Sequence, residues 1–170
     1  MELNFARVSK NEGVEEPFFL QHDCVGTFLE FNREKAKVLS PIDVNGTMVY
    51  YEGKINVSLD ITTEVERICS RCLEPYQEKL TVEDTFVFMN GYHGAEDKEG
   101  DVIVYHNDHY DITELVLDEA ASQMTMKPLC SEGCKGLCPV CGVNKNVTDC
   151  KCELDNIDPR LQILGSLLNR

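Results

Sequence analysis

From Val38 to Met89 the chain alternates apolar and polar positions. In "TMVYYEGKINVSLDITTEVERI" (Thr47 to Ile68), Ile55, Val57, Leu59 and Ile61 share one parity, with Asn56, Ser58 and Asp60 between them. A period of two is the signature of a half-buried strand. "VNGT" before it and "YEGK" within it have the composition of hairpin turns. Pro75 breaks the run, and "KLTVEDTFVFM" reads as a further strand. The pattern predicts an antiparallel meander with one buried face, open or closed into a barrel. "NGYHGAEDKEGD" (Asn90 to Asp101) is glycine-rich, charged and aperiodic, so an exposed loop is expected there, with "VIVY" resuming the sheet.

The period changes at Asp111. "DITELVLDEAASQMTMKP" carries Ile112, Val116, Ala120 and Met124 on one stripe, which predicts a helix over about 111–126. Asp111 is placed to cap it, with Glu114 reaching back and Pro128 stopping it. A last short helix is expected after "IDPR", with Asp158 as cap, Pro159 in the first turn and Leu161, Leu164 and Leu168 facing inward. The fold class is therefore α+β. Residues 1–126 form a strand-rich body with one long helix, and 127–170 a cysteine-rich tail; together they are read as one structural unit.

Charge changes this picture only in part. The net formal charge is −14 over 170 residues. Residues 1–126 hold ten Lys/Arg against twenty-five Asp/Glu, whereas 127–170 hold six against five. An acidic body argues against a whole-surface grip on a phosphate backbone and suits basic protein partners. No apolar run approaches the ~18 residues of a spanning helix. The start, "MELNFARVSKNEG", lacks the apolar core of a signal peptide. A cytoplasmic protein with no membrane association is the expectation, and its thiols should stay reduced.

That makes the nine cysteines a question of chemistry rather than of disulfides. Cys69 and Cys72 form a C-x2-C at a strand end, and Cys130, Cys134, Cys138 and Cys141 follow the long helix. Cys150 and Cys152 close the series, and Cys24 stands apart. Eight thiolates suffice for two four-coordinate zinc sites, or for one with thiols to spare. "CPVCG" has the form of a zinc knuckle, so Cys138, Cys141, Cys150 and Cys152 make the most economical local site. Cys69, Cys72, Cys130 and Cys134 would then tie the sheet to the end of the long helix. Spacing also permits Cys130 and Cys134 to join Cys138 and Cys141 directly.

Other chemistries fit less well. "CKGLCPVC" has the cysteine spacing of radical enzymes, but those need a large β/α barrel around it. A redox Cys69–Cys72 pair would be expected at a helix amino terminus, whereas "ICSRCLEPY" ends a strand and runs into proline. His106 and His109 in "YHNDHY" suit a polar turn better than a site, and His22, Asp23 and Cys24 are mere sequence neighbours. No residue earns a catalytic role.

Three segments together, "CSRCLEP", "DITELVLDEAASQMTMKPLC" and "GLCPVCGVNKN…CKCELDNIDPRLQILGSLL", resemble the YceD family of large ribosomal RNA subunit accumulation proteins. The likeness runs from about Val65 to the carboxyl end. It implies a non-enzymatic role in large-subunit ribosomal RNA accumulation or processing and in ribosome biogenesis. The implied partners are ribosomal proteins or the pre-ribosomal large-subunit particle, with ribosomal RNA itself as another. The competing readings are a thiol-redox or metal-dependent enzyme and a zinc protein that binds single-stranded RNA directly.

Overall fold

The computed structural model describes residues 1–91 and 102–152. Its organising element is β6 (Lys54–Ile68), in which Ile55, Val57, Leu59, Ile61, Thr63, Val65 and Arg67 are all buried while the intervening side chains face outward. One edge of β6 pairs along its whole length with antiparallel β7 (Pro75–Asn90), from Ile68 opposite Pro75 to Lys54 opposite Met89. The other edge is shared. β5 (Ile42–Tyr51) covers Lys54 to Thr62, and the end of β4 (Glu34–Val38) takes over at Val65 and Glu66. β2 (Glu15–His22) then adds to β5, and β3 (Phe28–Phe31) to β4, so the sheet forks on this side.

The antiparallel meander holds for most of the sheet, with two corrections. β8 (Val102–Tyr105) does resume it, but parallel to β7. The barrel does not close: among the described residues β2, β3 and β8 each have a single strand neighbour. A separate antiparallel pair joins β1 (Glu2–Asn4) to β9 (His109–Asp111). It brings Leu3 and Phe5 into the core, where the Phe5 ring lies 5.3 Å from Phe88 and 4.6 Å from Tyr105.

"YEGK" is a hairpin turn, with Glu52 and Gly53 at φ of +50° and +81°, as a primed two-residue loop requires. "VNGT" is not a turn: Val44 to Thr47 lie in the middle of β5, paired to β2 on one side and β6 on the other. The glycine serves close approach instead. A Cβ on Gly46 would stand 2.3 Å from the Ser58 carbonyl oxygen and 2.6 Å from the Phe18 ring. Gly46→Ala is therefore expected to destabilise the fold by about 1–3 kcal/mol, as overpacking does. Urea denaturation measures it, and an unchanged midpoint would show that β5 does not need this contact. Nor does Pro75 break the sheet. It is the first residue of β7, a position where its missing N–H costs little.

α1 (Thr113–Ser122) is shorter than the stripe suggested and ends well before Pro128. Ile112, Val116, Ala120 and Met124 are all buried, the first and last from positions flanking the helix. Asp111 accepts from the Thr113 N–H (2.9 Å), the Thr113 hydroxyl (2.5 Å) and the amino terminus (3.1 Å). These bonds, those from Thr113 foremost, hold its carboxyl down at about 2. Asp111 thus ties the chain's start to Thr113. The cap position itself belongs to Ile112, which makes no side-chain cap bond, so the expected capping box does not form. The loop expected over 90–101, beyond Gly91, and the helix expected after "IDPR" lie outside the described residues.

Candidate metal centre

The buried parity of β6 continues past its last residue to Cys69, which is fully buried. The chain then turns through Cys69–Glu74, with the Cys69 N–H donating to the Glu74 carbonyl (3.0 Å) and the Leu73 N–H to the Cys69 carbonyl (2.9 Å). The turn brings the thiols of Cys69 and Cys72 to the same side, and the segment after α1 lies along it. The Ser70 N–H and hydroxyl both donate to the Pro128 carbonyl (2.8 and 3.0 Å). The Leu137 N–H donates to the Arg71 carbonyl (3.1 Å), and the Arg71 guanidinium to the Cys134 carbonyl (3.0 Å). Gly136 permits this approach, because at φ +69° a Cβ there would come within 3.0 Å of the Arg71 oxygen. Cys69, Cys72, Cys130 and Cys134 thereby converge, with Tyr76 and Leu129 packed against the group.

Cys138, Cys141, Cys150 and Cys152 form a second group. Here the Cys138 N–H donates to the Val143 carbonyl and the Gly142 N–H to the Cys138 carbonyl, both at 2.8 Å. Gly142 takes the left-handed conformation that the knuckle needs, at φ +74°. Within each group all four sulfurs lie within 4.8 Å of one another. The Cys69–Cys134 and Cys72–Cys130 sulfur separations are 3.8 and 3.7 Å, too long for a disulfide of ~2.05 Å. Four thiolates ~2.3 Å from a central ion make a tetrahedron with edges of about 3.8 Å. Either group could hold a metal ion.

The protonation pattern points the same way. Burial pushes the Cys69 thiol up, but the backbone N–H groups of Cys130, Cys72 and Arg71 outweigh it and bring it down to about 6. The N–H groups of Cys141 and Val140 bring Cys138 down to about 6 as well. Their neighbours move the other way: Cys130 is pushed up to about 12, chiefly by Cys134, and Cys152 to about 12, chiefly by Cys141. Four adjacent thiols cannot all ionise against one another's charge. A cation among them removes that conflict, which is the chemistry these groups are suited to.

Residues 57–168 match the family model described as "Large ribosomal RNA subunit accumulation protein YceD". The chain belongs to the YceD family. Both thiol groups fall within the matched span. The chain is 29% identical over 135 residues to the uncharacterized protein YlbN of Bacillus subtilis, covering 78% of this chain and 77% of YlbN. It is 28% identical over 102 residues to the uncharacterized protein Rv2926c of Mycobacterium tuberculosis, covering 59% of this chain and 49% of that protein. Over 156 residues it is 24% identical to the "Large ribosomal RNA subunit accumulation protein YCED homolog 1, chloroplastic" of Arabidopsis thaliana, covering 75% and 49% respectively. The chain thus spans about half the length of these last two relatives. No solved structure matches it.

Several residues around this YceD-family centre escape a reading of motifs. Arg67 is only 1% exposed and donates to Glu78 Oε2 (3.2 Å), to the Thr125 hydroxyl (3.3 Å) and to the Thr125 carbonyl (2.6 Å). Its position on the buried parity of β6, two residues before Cys69, was the available signal. Tyr76 donates to the same Glu78 oxygen (3.1 Å), and burial, followed by that carboxylate, raises its phenol to about 12. Asn146 reads in sequence as part of a glycosylation triplet; in the fold its amide donates to the Cys134 sulfur at 3.3 Å. His106 and His109 face each other across a turn whose Asn107 and Asp108 have φ of +61° and +56°. Cys24 joins neither thiol group. No helix among the described residues is long and apolar enough to cross a membrane.

Proposed function

We propose that the protein is a non-enzymatic cytoplasmic factor in large-subunit ribosomal RNA accumulation and ribosome assembly, built around two structural zinc ions. The observation that carries this reading is the family match over residues 57–168, supported by the name of the Arabidopsis relative. Zinc fits the donor set: eight thiols in two groups of four, with no oxygen or nitrogen ligand needed. The cysteine-rich tail, with the strand-end turn it grips, is a stabilising module in this reading. The acidic body is the contact surface, matched to basic ribosomal proteins on the pre-ribosomal particle.

Purification without reductant, followed by metal analysis and thiol counting, tests the zinc. Two zinc ions and one reactive thiol, that of Cys24, are expected per chain. A folded, metal-free, disulfide-bonded protein would favour the thiol-redox reading instead. For function, affinity capture from cells at moderate salt should recover large-subunit ribosomal proteins, and deletion of the gene should reduce mature large-subunit ribosomal RNA. Capture of RNA alone after nuclease-protected washing would move the contact to nucleic acid. Capture of neither, with normal ribosomal RNA, would remove the proposal.

A further inference from the structure

The two thiol groups are joined by one side chain. Asn146 belongs to the loop between Cys141 and Cys150, so its position is set by the second group. Yet its Nδ2 donates to Cys134 Sγ of the first group (3.3 Å) as well as to Asn144 Oδ1 (2.9 Å). Its Oδ1 accepts from the Lys135 N–H (2.8 Å), and its own N–H donates to Asn144 Oδ1 (3.0 Å). Both ends of the amide are engaged, which fixes its orientation and leaves the donor aimed at sulfur. The backbone repeats the connection: the Lys145 N–H donates to the Gly136 carbonyl (2.9 Å), and Leu137 bridges Asn144.

The groups differ in shelter. Three thiols of the first are buried and one is exposed; in the second, Cys138 is buried, Cys141 exposed, and Cys150 and Cys152 intermediate. A chelator or oxidant therefore meets the second group more readily. Without its ion, the 142–149 loop is held by its contacts with residues 134–137 and by the bonds that Cys138 makes with Gly142 and Val143.

We propose that Asn146 is a positioning residue that couples the two metal sites, so that loading of the second strengthens retention at the first. It rests on both groups holding zinc. Amide N–H donation to a ligating thiolate offsets part of its charge, and outer-shell partners of metal ligands are worth about 10- to 100-fold in affinity. Because such coupling is reciprocal, the first site strengthens the second by the same factor. The more exposed site thereby governs the more sheltered one, and a signal that strips the knuckle is passed to the β6–β7 turn.

The test uses the full chain loaded with cadmium-113, whose resonances report each all-sulfur site separately. Cys150→Ser with Cys152→Ser removes the second site, and the resonance that survives identifies the first. Asn146→Ala alone is expected to shift that first-site resonance, although Asn146 lies in the other site's loop, and to speed cadmium loss to excess chelator about 10- to 100-fold. The Cys150/Cys152 double variant should speed first-site loss comparably, and adding Asn146→Ala to it should change little more. First-site release that is unchanged by either alteration, or rate effects that multiply independently, overturns the coupling. Asn146→Asp, which keeps the acceptor for Lys135 but replaces the donor, should behave like the alanine variant. Wild-type release matching that variant's instead assigns the effect to the Lys135 bond and sinks the sulfur contact. Parent protein that binds no zinc fails the underlying reading, a result distinct from all of these.

Discussion

Replacing Cys69 and Cys72 together by serine is expected to lower the zinc content, proposed at two ions per chain, to one, and to release residues 128–137 from the β6–β7 turn. Apart from the metal, that segment is held by a handful of hydrogen bonds, such as Ser70 to Pro128 and Leu137 to Arg71. Each contributes on the order of 1 kcal/mol net. A structural zinc ion in an all-protein site is bound by about 10–16 kcal/mol, so the proposed ion would dominate the docking. The body should survive, because its core of Ile55, Val57, Leu59, Ile61, Phe88 and Val116 is built without the tail. Native mass spectrometry reads the metal count, and limited proteolysis reads the docking as new cleavage between Lys127 and Leu137. Two zinc ions in the double variant, or a tail still fully protected, would show that the first thiol group is not the clamp. Cys24→Ser should change neither readout.

The second large effect belongs to Arg67. Its guanidinium is enclosed between β7, through Glu78, and the segment after α1, through Thr125. Arg67→Ala leaves the Thr125 carbonyl without this donor and the Glu78 carboxylate without its cation, in addition to a cavity. Breaking a buried pair in this way costs about 3–5 kcal/mol. The lower part of that range is expected, because the Glu78 side chain is 29% exposed and water can replace some of the lost interaction. Arg67→Lys should fall between the two, since an ammonium keeps the charge but cannot span both partners from one rigid fork. Denaturant midpoints at constant slope measure the series. A loss below about 1 kcal/mol for the alanine variant would mean that the ion pair contributes no more than a surface one. The Nε of Arg67 is buried without a hydrogen-bond partner, so the burial is not fully compensated even in the native protein. The other two nitrogens tie β7, through Glu78, to the segment after α1, through Thr125.

Much of this was legible from residue order alone, and where it was, the reason is local. The parity of Ile55 to Ile61 specifies a strand with one buried face because side chains alternate whatever the partner strand. The stripe from Ile112 to Met124 specifies a helical face for the same kind of reason, although α1 itself occupies only Thr113–Ser122. "YEGK" signals its own turn through Gly53, which takes one of the two positive-φ positions freely, while Glu52 takes the other. Short cysteine spacings fix which thiols are near neighbours along the chain.

The tertiary structure decided whatever depends on segments far apart in sequence. "VNGT" has turn composition, but β2 and β6 flank it, and the glycine answers to the Phe18 ring and the Ser58 carbonyl rather than to a bend. Nothing in "VIVY" states that it pairs parallel to β7 rather than antiparallel. Cys69 and Cys134 are 65 residues apart, and they meet only because β6, β7 and α1 place the turn and the tail together. The parity of β6 points Arg67 inward, but only the fold supplies Glu78 and Thr125 as its partners. Asn146 carried no signal at all, because its hydrogen bond to Cys134 exists only once both thiol groups have formed and the loop of one rests against the other. Sequence set the local periods and the supply of sulfur. Which four thiols come together, and which contacts join the two groups, came from the packing of segments that no local rule connects.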